Sequence, residues 1–532
     1  MIQVISPGMC AQAGEIVSLA FARSCSGAQV ERASINQLML TTSATRELAA
    51  PRCWVLVDPL EAWSEHIISA LDSGQCKIIV FGALPPSLAQ FLNVSVAQPT
   101  QALVEAAQCS PALAGQFSQS AASVHYIAPL GARASPILER AFLRYDYTDE
   151  WNNLGYGAIP VSAEQPPIWA LAQSAVAPSV NTIAQVQIQG DVVGSYAAAW
   201  DRPHSSLLWF NRSVGPVDSQ EWALVEHFVS SYRYSELPCW PVLREVPYGY
   251  AAAVTMRLDC DEDVESARPL WDAYCDLGIP FSLALHAKVL VDPVHHGLPK
   301  EVLALGGTLL SHTATHAPDW GGSYEAAFLE GSSSAATIKQ ATGYAVRYAV
   351  SPFHQTPDYA RAALADAGYS GCIGGIIRND PDFLTARSGQ VSGAGTGFIG
   401  HSQQCMLHGD CVLDEADPLA TFKLAFDIAK AGGAFFGYLD HPFSARYQYG
   451  WETEAQRINV HRSFIAYILQ SGNVLMCNES DAMDFLARKA SVRIERGQAG
   501  FKAYMSEGSA RWPVAVEYHD QVVEVTASGV SL

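Results

Sequence analysis

The chain has 532 residues, of which 49% are hydrophobic and 16% charged, and its formal net charge at pH 7 is −20. This length predicts more than one domain, and the composition is typical of packed globular domains rather than disordered chains. The negative charge argues against nucleic acid and anionic membrane surfaces as main partners.

The N-terminal segment, "MIQVISPGMCAQAGEI", lacks the basic region of a secretory signal, and its apolar stretch stops at Pro7 and Gly8. No run of about 18 apolar residues occurs, so we expect no membrane span. The twelve cysteines are scattered without a CxxC pair, which favours reduced, buried thiols. We therefore expect a cytoplasmic protein, and the sequence leaves a homo-oligomer open.

Residues 1–240 are predicted to form an α/β domain of flavodoxin-like type. Short apolar runs of strand type, "IQVIS", "CWVLVD" and "KIIVFG", alternate with helical stretches such as "EAWSEHIISALDSG". Strand signals return in "TIAQVQIQGDVVGSYAAAW" and "SSLLWFN", before the helical stretch "DSQEWALVEHFVSSYR". This order predicts a parallel sheet with helical crossovers.

The same order resembles the class I glutamine-amidotransferase-like fold, in which a cysteine lies at a sharp turn after a central strand. Here that turn reads "VFGALPP", residues 80–86, and Cys76 precedes the strand. The resemblance therefore implies a domain without amidotransferase chemistry, with a structural or substrate-orienting role.

Residues 250–490 follow a connector rich in proline and aromatic residues, residues 236–250. Their apolar runs, "AAAVTMRLD", "PFSLALHA", "GTLLSH", "YAVSPF", "AFFGYLDH" and "NVLMC", are separated by helical patterns. Such an alternation predicts a parallel sheet or a (β/α) barrel. Residues 491–532 alternate with a period of two in "WPVAVEYHDQVVEVTASG", which predicts a small antiparallel β extension.

One strand of the second domain ends in a dense acidic run, "RLDCDEDV". Asp259, Asp261, Glu262 and Asp263 occupy four of five consecutive positions. Charge runs of this kind are most often solvated turns. The alternative is that some of these carboxylates hold a metal ion and accept a proton.

Two further strand ends carry histidines. His312 and His316 follow "LLS", and a helical turn there would place both imidazoles on one face. Two histidines and a carboxylate form a common open zinc site, although a pair of surface histidines is the alternative. His441 follows the strand "FFGYLD" and would suit a general acid, or a structural role.

The order of these features resembles the polysaccharide deacetylase (NodB-homology) family, carbohydrate esterase family four, over roughly residues 250–480. The order is the acidic strand end, HxxxH about fifty residues on, "SPF" and then the strand-end histidine. The resemblance implies a distorted (β/α) barrel, a divalent metal that is most often zinc, and hydrolysis of N-acetyl or O-acetyl groups on sugars.

The resemblance also implies roles for individual residues. Asp259 matches the family's general base and Asp261 its metal-binding carboxylate. The crowded acids leave a second assignment open, with Asp261 as base and Asp263 as ligand. His312 and His316 match the family's histidine ligands.

His441 matches the catalytic acid of the family. Phe353, which follows Pro352 in "SPF", matches the aromatic residue whose backbone N–H helps to hold the oxyanion.

The chain departs from the family at the arginine that orients the base, because Val350 stands at that position. Arg347 is three residues earlier. Arg257 lies two residues before Asp259, on the same face of a strand, so it could supply the missing positive charge or make an ordinary structural ion pair.

Other candidates are less specific. Two histidines, His401 and His408, lie in an irregular stretch and would either shape the substrate site or be ordinary loop residues. Aromatic residues close to the motifs would either stack on sugar rings or pack in the core; they are Trp320, Tyr447, Tyr449 and Trp451.

The expected function is therefore metal-dependent removal of an acetyl group from an N-acetylated sugar or glycan precursor. The alternatives are hydrolysis of a small non-sugar amide, and a glycan-binding pseudoenzyme. The sugar, its linkage, N- versus O-acetyl and the physiological metal are left open by the sequence.

Overall fold

A computed structural model describes most of the chain. The described residues are 1–33, 52–101, 103, 122–134, 139–141, 171–212, 219–354, 356–374, 387–391, 393–395, 397–402, 405–412, 416–497, 500–505 and 511–532. Within these ranges, no helix is both long and apolar enough to cross a membrane.

The structure is α/β, as the sequence predicts. Its helices are α1 Ala11–Cys25, α2 Ser64–Ser73, α3 Pro86–Phe91, α4 Ser219–Ser230, α5 Arg268–Leu277, α6 Gly297–Ala304, α7 Tyr324–Thr342, α8 Asp358–Asp366, α9 Ala420–Gly432, α10 Glu454–Gln470 and α11 Glu479–Ser491.

The N-terminal part is built on a nine-stranded sheet. The strands up to residue 210 are β1 Ile2–Ile5, β2 Val30–Arg32, β3 Arg52–Val57, β4 Cys76–Phe81, β5 Ser95–Val96, β6 Ala122–Tyr126, β7 Glu139–Ala141, β8 Ala175–Val176, β9 Thr182–Ile188, β10 Asp191–Arg202 and β11 Ser205–Phe210. Their order in the sheet is β2-β1-β3-β4-β11-β10-β9-β6-β7, and β5 and β8 form a separate pair.

The sequence prediction of a wholly parallel N-terminal sheet is wrong for half of it. Strands β2, β1, β3, β4 and β11 are parallel, but β11, β10, β9, β6 and β7 are antiparallel. One of these pairings, β9 with β10, follows from a tight turn in which Gln189 and Gly190 both have positive φ, at 53° and 90°. Two such residues favour a hairpin, which reverses the chain without a helical crossover.

Cys76 opens β4, and its side chain is buried. Burial raises the pKa of its thiol to about 12, so the nucleophilic thiolate is scarce at neutral pH. We therefore expect no glutamine hydrolysis by this domain and an unchanged activity of the whole protein in Cys76→Ser. Ammonia release from glutamine measures this, and a glutaminase activity that disappears in the variant would contradict it.

The second part is built on a ten-stranded sheet. Its strands are β13 Ala252–Cys260, β14 Ser282–Leu285, β15 Thr308–Ser311, β16 Tyr348–Val350, β17 Gly371–Gly374, β18 Gly389–Gln390, β19 Ile399–Ser402, β20 Cys405–Met406, β21 Phe435–Asp440 and β22 Val474–Cys477. The order is β18-β19-β17-β16-β15-β14-β13-β21-β20, with β22 paired to β13, and the pairings are parallel except that of β18. Within the described residues the sheet does not close, so the barrel stays a prediction.

Strand β13 is buried on both faces, and its alternate residues enter different parts of the core. Ala253 belongs to the apolar cluster shared with the N-terminal part, whereas Val254 belongs to the cluster beneath the helices of the second part. Because side chains alternate along a strand, Arg257 and Asp259 lie on the same face. Burial on both faces is typical of a central parallel strand.

The C-terminal residues form short strands, β23 Arg493–Arg496, β24 Phe501–Tyr504, β25 Val514–Tyr518, β26 Gln521–Val525 and β27 Val530–Ser531. Strands β25 and β26 make the antiparallel pair that the period of two predicts. The connector adds β12 Val242–Leu243 to this pair, so the end of the chain packs against the link between the two larger sheets.

Candidate active site

Three parallel strands bring the predicted site residues to one edge of the second sheet. Strand β13 pairs with β21 and with β14, and β14 pairs with β15. Asp259 lies near the carboxyl end of β13, His312 directly follows β15, and His441 directly follows β21. Residues far apart in the chain therefore meet because the carboxyl ends of parallel strands share an edge.

Asp259 is paired with Arg257 in a fully buried, two-pronged contact. Arg257 Nε donates to Asp259 Oδ1 at 2.5 Å, and Nη2 donates to Oδ2 at 3.0 Å. Both side chains are at most 1% exposed. Burial by itself would raise the pKa of the Asp259 carboxyl, but Arg257 and nearby His312 outweigh it and lower that pKa. Asp259 is thus held as an oriented, ionised carboxylate.

Asp261, His312 and His316 form a cluster whose ligand atoms all lie within 4.8 Å of one another. Asp261 Oδ1 is 3.3 Å from His312 Nε2 and 3.6 Å from His316 Nε2. The two imidazole Nε2 atoms are 3.1 Å apart. This is the only group of three or more potential metal ligands among the residues that the structure describes.

The two histidines converge through a loop, not through the helical turn considered from the sequence. Residues 312–317 are irregular, and Thr313 and His316 have positive φ, at 64° and 56°. The Thr313 hydroxyl accepts a hydrogen bond from the His316 backbone N–H at 2.7 Å, and Glu330 accepts two more from residues 314 and 315. These bonds compensate a conformation that is costly for non-glycine residues.

The donor set fits a divalent ion. Asp261 Oδ1 is buried and has no hydrogen-bond partner among the described residues, although it faces two histidines. His312 Nδ1 donates to the Val350 carbonyl at 3.3 Å, which leaves Nε2 as the ligating atom. Burial, followed by the charge of His312, lowers the pKa of His316 to about 4, so its imidazole is neutral near pH 7. One carboxylate and two imidazoles are typical ligands of an open zinc site.

His441 lies beside this cluster, with its Nε2 4.0 Å from Asp261 Oδ2. Its Nδ1 is 2.8 Å from Nε2 of the buried His408. Burial and the charge of His441 lower the pKa of His408, so His408 is neutral and shares one hydrogen bond with His441. The Tyr449 ring stacks on His441 with centroids 4.4 Å apart. The acid candidate is therefore fixed in orientation, with Nε2 turned toward the cluster.

Asp440, which precedes His441, anchors this strand end in a buried polar network. Its Oδ1 accepts the His441 backbone N–H at 2.7 Å, and its Oδ2 accepts from Arg457 Nε at 2.7 Å and His461 Nε2 at 2.9 Å. Tyr274 joins the network through its hydroxyl, 3.0 Å from His461 Nδ1.

Sequence reasoning missed Arg457 and His461 and left His408 undecided. Arg457 and His461 are four residues apart in α10, so they share a face of that helix. This spacing was the only sequence signal for them.

Several residues that the sequence left as alternative site candidates lie away from Asp259 and the Asp261 cluster. Asp263 is the N-cap of the short helix Val264–Ala267, accepting the Glu265 N–H at 3.0 Å, and its side chain is 62% exposed. Arg347 bonds Asp484 at 2.5 Å on the surface. Neither contacts Asp259 or the Asp261 cluster. His401 is buried against Ser388, 2.9 Å away, and does not contact that cluster either.

The aromatic candidates divide by exposure. Trp320 and Trp451 are buried in the core. Phe353 is 48% exposed and its ring lies 4.6 Å from that of His316, and Tyr447 is 37% exposed and stacks on Tyr449. Of these candidates, Phe353 and Tyr447 keep the most exposed side chains. Phe353 also has a positive φ of 50°, a backbone conformation that is costly for a residue other than glycine.

No protein-family model matches the sequence, and no curated protein matches it. Solved structures do match the fold at low similarity. The carbohydrate deacetylase Agd3 aligns with 99% of this chain and 97% of its own, at 10% identity and a TM-score of 0.39. A family 4 acetyl xylan esterase from Clostridium thermocellum, solved with a cobalt ion, aligns with 44% of this chain and 91% of its own, at 10% identity and a TM-score of 0.29.

A third match is a pseudoenzyme of carbohydrate esterase family four from Bacillus anthracis. It aligns with 46% of this chain and 68% of its own, at 12% identity and a TM-score of 0.30. Polysaccharide deacetylases and their relatives are thus among the solved structures that resemble this chain.

Proposed function

We propose that the protein is a metal-dependent hydrolase that removes an acetyl group from an N-acetylated sugar or glycan precursor. The observation that carries the proposal is the meeting of three groups at one sheet edge: the Arg257-held Asp259, the Asp261 cluster and the oriented His441. A base, a Lewis-acid site and an acid are the three groups that metal-assisted hydrolysis of an amide uses.

In the proposed mechanism one residue accepts a proton and another donates one. Asp259, ionised and oriented by Arg257, accepts the proton of the attacking water. His441 donates a proton from Nε2 to the leaving nitrogen, while the hydrogen bond between His441 Nδ1 and His408 keeps the His441 ring oriented. The Phe353 backbone N–H contributes to holding the oxyanion. A divalent ion bound by Asp261, His312 and His316, which we take to be zinc, would polarise the acetyl oxygen and acidify water.

We also propose a cellular location, on the basis of the cysteines. Ten cysteines among the described residues are free thiols, and nine of these are buried. This arrangement suits a reducing compartment, and we propose a cytoplasmic protein acting on soluble or carrier-linked sugars.

A panel of substrates tests the function. Zinc-loaded protein is incubated with N-acetylated sugars and their oligomers, O-acetylated sugars and N-acetylated amino acids, and released acetate is measured. Acetate from an N-acetylated sugar supports the proposal. Release from the amino acids alone would favour a non-sugar amidase, and metal binding without any release would favour a pseudoenzyme.

Arg257→Met is expected to destabilise the fold by roughly 3–5 kcal/mol at pH 7, because it leaves the buried Asp259 carboxylate without its partner. The folded-state pKa of Asp259 lies below the unfolded value of about 3.9, so the pair stabilises fully above that pH. This stabilisation is lost as the pH falls from about 4 toward the folded pKa. Urea unfolding of parent and variant at several pH values measures it, with Arg347→Met as the exposed control. Equal losses in both variants would contradict it.

The same variant tests whether Arg257 orients a catalytic base. Removing the adjacent cation raises the pKa of Asp259, so the acidic limb of kcat/KM should move to higher pH. Zinc content should hardly change, because the ligands are untouched. An acidic limb that stays in place with an unchanged rate would show that Arg257 is only structural.

A further inference from the structure

A polar cavity of about 120 Å³ lies where the N-terminal part, the connector, the second sheet and the C-terminal hairpin meet. A cavity of this size holds several water molecules. Its wall includes residues of α4, of the segment after β12, of the end of α9 and of β25. The cavity is distinct from the candidate active site, because it shares no residue with it.

Two of the carboxylates that line the cavity are already neutralised. Arg387 contacts Glu226 with two prongs, Nε to Oε1 at 2.8 Å and Nη2 to Oε2 at 2.7 Å. Glu245, which is buried, contacts the Nζ group of the buried Lys489. These two ion pairs leave no net charge toward the cavity.

Three further cations line the cavity without such compensation. Arg133 donates to the Ala431 carbonyl at 2.9 Å, and Lys430 donates to the Ser471 carbonyl. These acceptors are neutral carbonyl oxygens, so neither bond is an ion pair. Arg244 is half-buried, and its guanidinium makes no hydrogen bond or ion pair with any residue in the described ranges.

One carboxylate, Glu517 of β25, faces these cations. Burial raises its pKa, and the nearby Arg244 and Arg133 oppose that rise without overcoming it. The cavity is therefore lined by three cations outside these two ion pairs and by one further carboxylate, Glu517. Such a surplus is unexpected in a chain whose net charge is −20.

We propose that this cavity binds a small oxyanion, a phosphate or carboxylate group, through Arg244 together with Arg133 and Lys430. The planar guanidinium of arginine presents paired donors that match the oxygens of both groups. The three cations come from the connector, the N-terminal part and the second sheet's helix α9. A bound oxyanion therefore links all three and stabilises their packing.

Thermal unfolding of the full-length protein tests the site. Inorganic phosphate and acetate are the two probes, each compared with sodium chloride at equal ionic strength. Because a ligand that binds only the folded state raises the unfolding temperature, at least one probe should raise Tm in a saturable way. Phosphate or acetate acting alone identifies which oxyanion the cavity prefers.

Two substitutions are expected to change the affinity for the active probe in opposite directions. Arg244→Gln should weaken binding of the active probe at least tenfold. Glu517→Gln should tighten it several-fold, because the like charge is removed. Arg511→Gln changes the net charge as Arg244→Gln does, but at a side chain that is 71% exposed and paired with Asp481, so it should bind as the parent does.

The proposal is overturned if neither probe raises the Tm of the parent beyond chloride. It is also overturned if Arg244→Gln and Arg511→Gln respond alike, since the effect would then be general charge screening. Should Arg244→Gln fail to fold, Glu517→Gln still decides, because unchanged or weaker binding in that variant contradicts the charge argument.

Discussion

Asp259→Asn is expected to lower turnover by roughly 10² or more while leaving bound zinc and KM nearly unchanged. Asparagine keeps the shape of the side chain but cannot accept the proton of water, and a positioned base contributes about 10²–10⁴ in rate. Its oxygen can still accept one bond from Arg257, so the fold should persist, but stability should fall because the buried guanidinium loses its counter-charge. Steady-state kinetics with zinc analysis and circular dichroism measure the three quantities.

The matched control is Asp263→Asn, in the same acidic run. Asp263 is exposed and caps a short helix, and asparagine caps a helix about as well as aspartate, so this change should cost little stability and little turnover. If Asp259→Asn keeps near-normal turnover while Asp261→Asn keeps zinc but loses turnover, the assignment of base and ligand shifts by one carboxylate.

His316→Ala is expected to remove stoichiometric zinc and, with it, acetate release, while the fold is largely retained. His316 is one of three ligands, it lies in a loop, and its side chain is 22% exposed, so its loss creates no large core cavity. Two remaining donors cannot complete the usual coordination of zinc. Zinc per chain after dialysis, measured by atomic emission, is the direct readout.

His204→Ala serves as the control for this variant, because His204 is exposed in a turn of the N-terminal part. It should retain zinc and turnover at parent levels. A His316→Ala protein that still holds one zinc per chain would contradict the assignment of the ligand set, whatever its activity.

The alternation of apolar runs and helical patterns determined the α/β class from the sequence. It also placed Asp259, His312 and His441 at strand ends, and parallel strands put such ends at one edge. The two-residue spacing of Arg257 and Asp259 was sufficient to predict their contact, because residues i and i+2 share a face of a strand. These features depend on local periodicity, which one sequence carries.

Tertiary structure decided what depends on contacts between distant segments. It placed Asp261, not Asp263, beside the two histidines, and it turned the HxxxH segment into a loop rather than a helical turn. It also paired His408 with His441, 33 residues away. No local pattern encodes which of two nearby carboxylates points inward, because that depends on the packing of separate elements.

The N-terminal sheet shows the same division. Strand positions followed from apolar runs, but the antiparallel pairing of β9 with β10 depended on the turn at Gln189 and Gly190, whose positive φ angles a periodicity argument does not include. Trp320 and Trp451 likewise read as either sugar platforms or core residues until packing buried them. The hydrophobic periodicity of the sequence determines which residues share an apolar face. Strand direction and burial depend instead on pairing between segments that are distant in the chain.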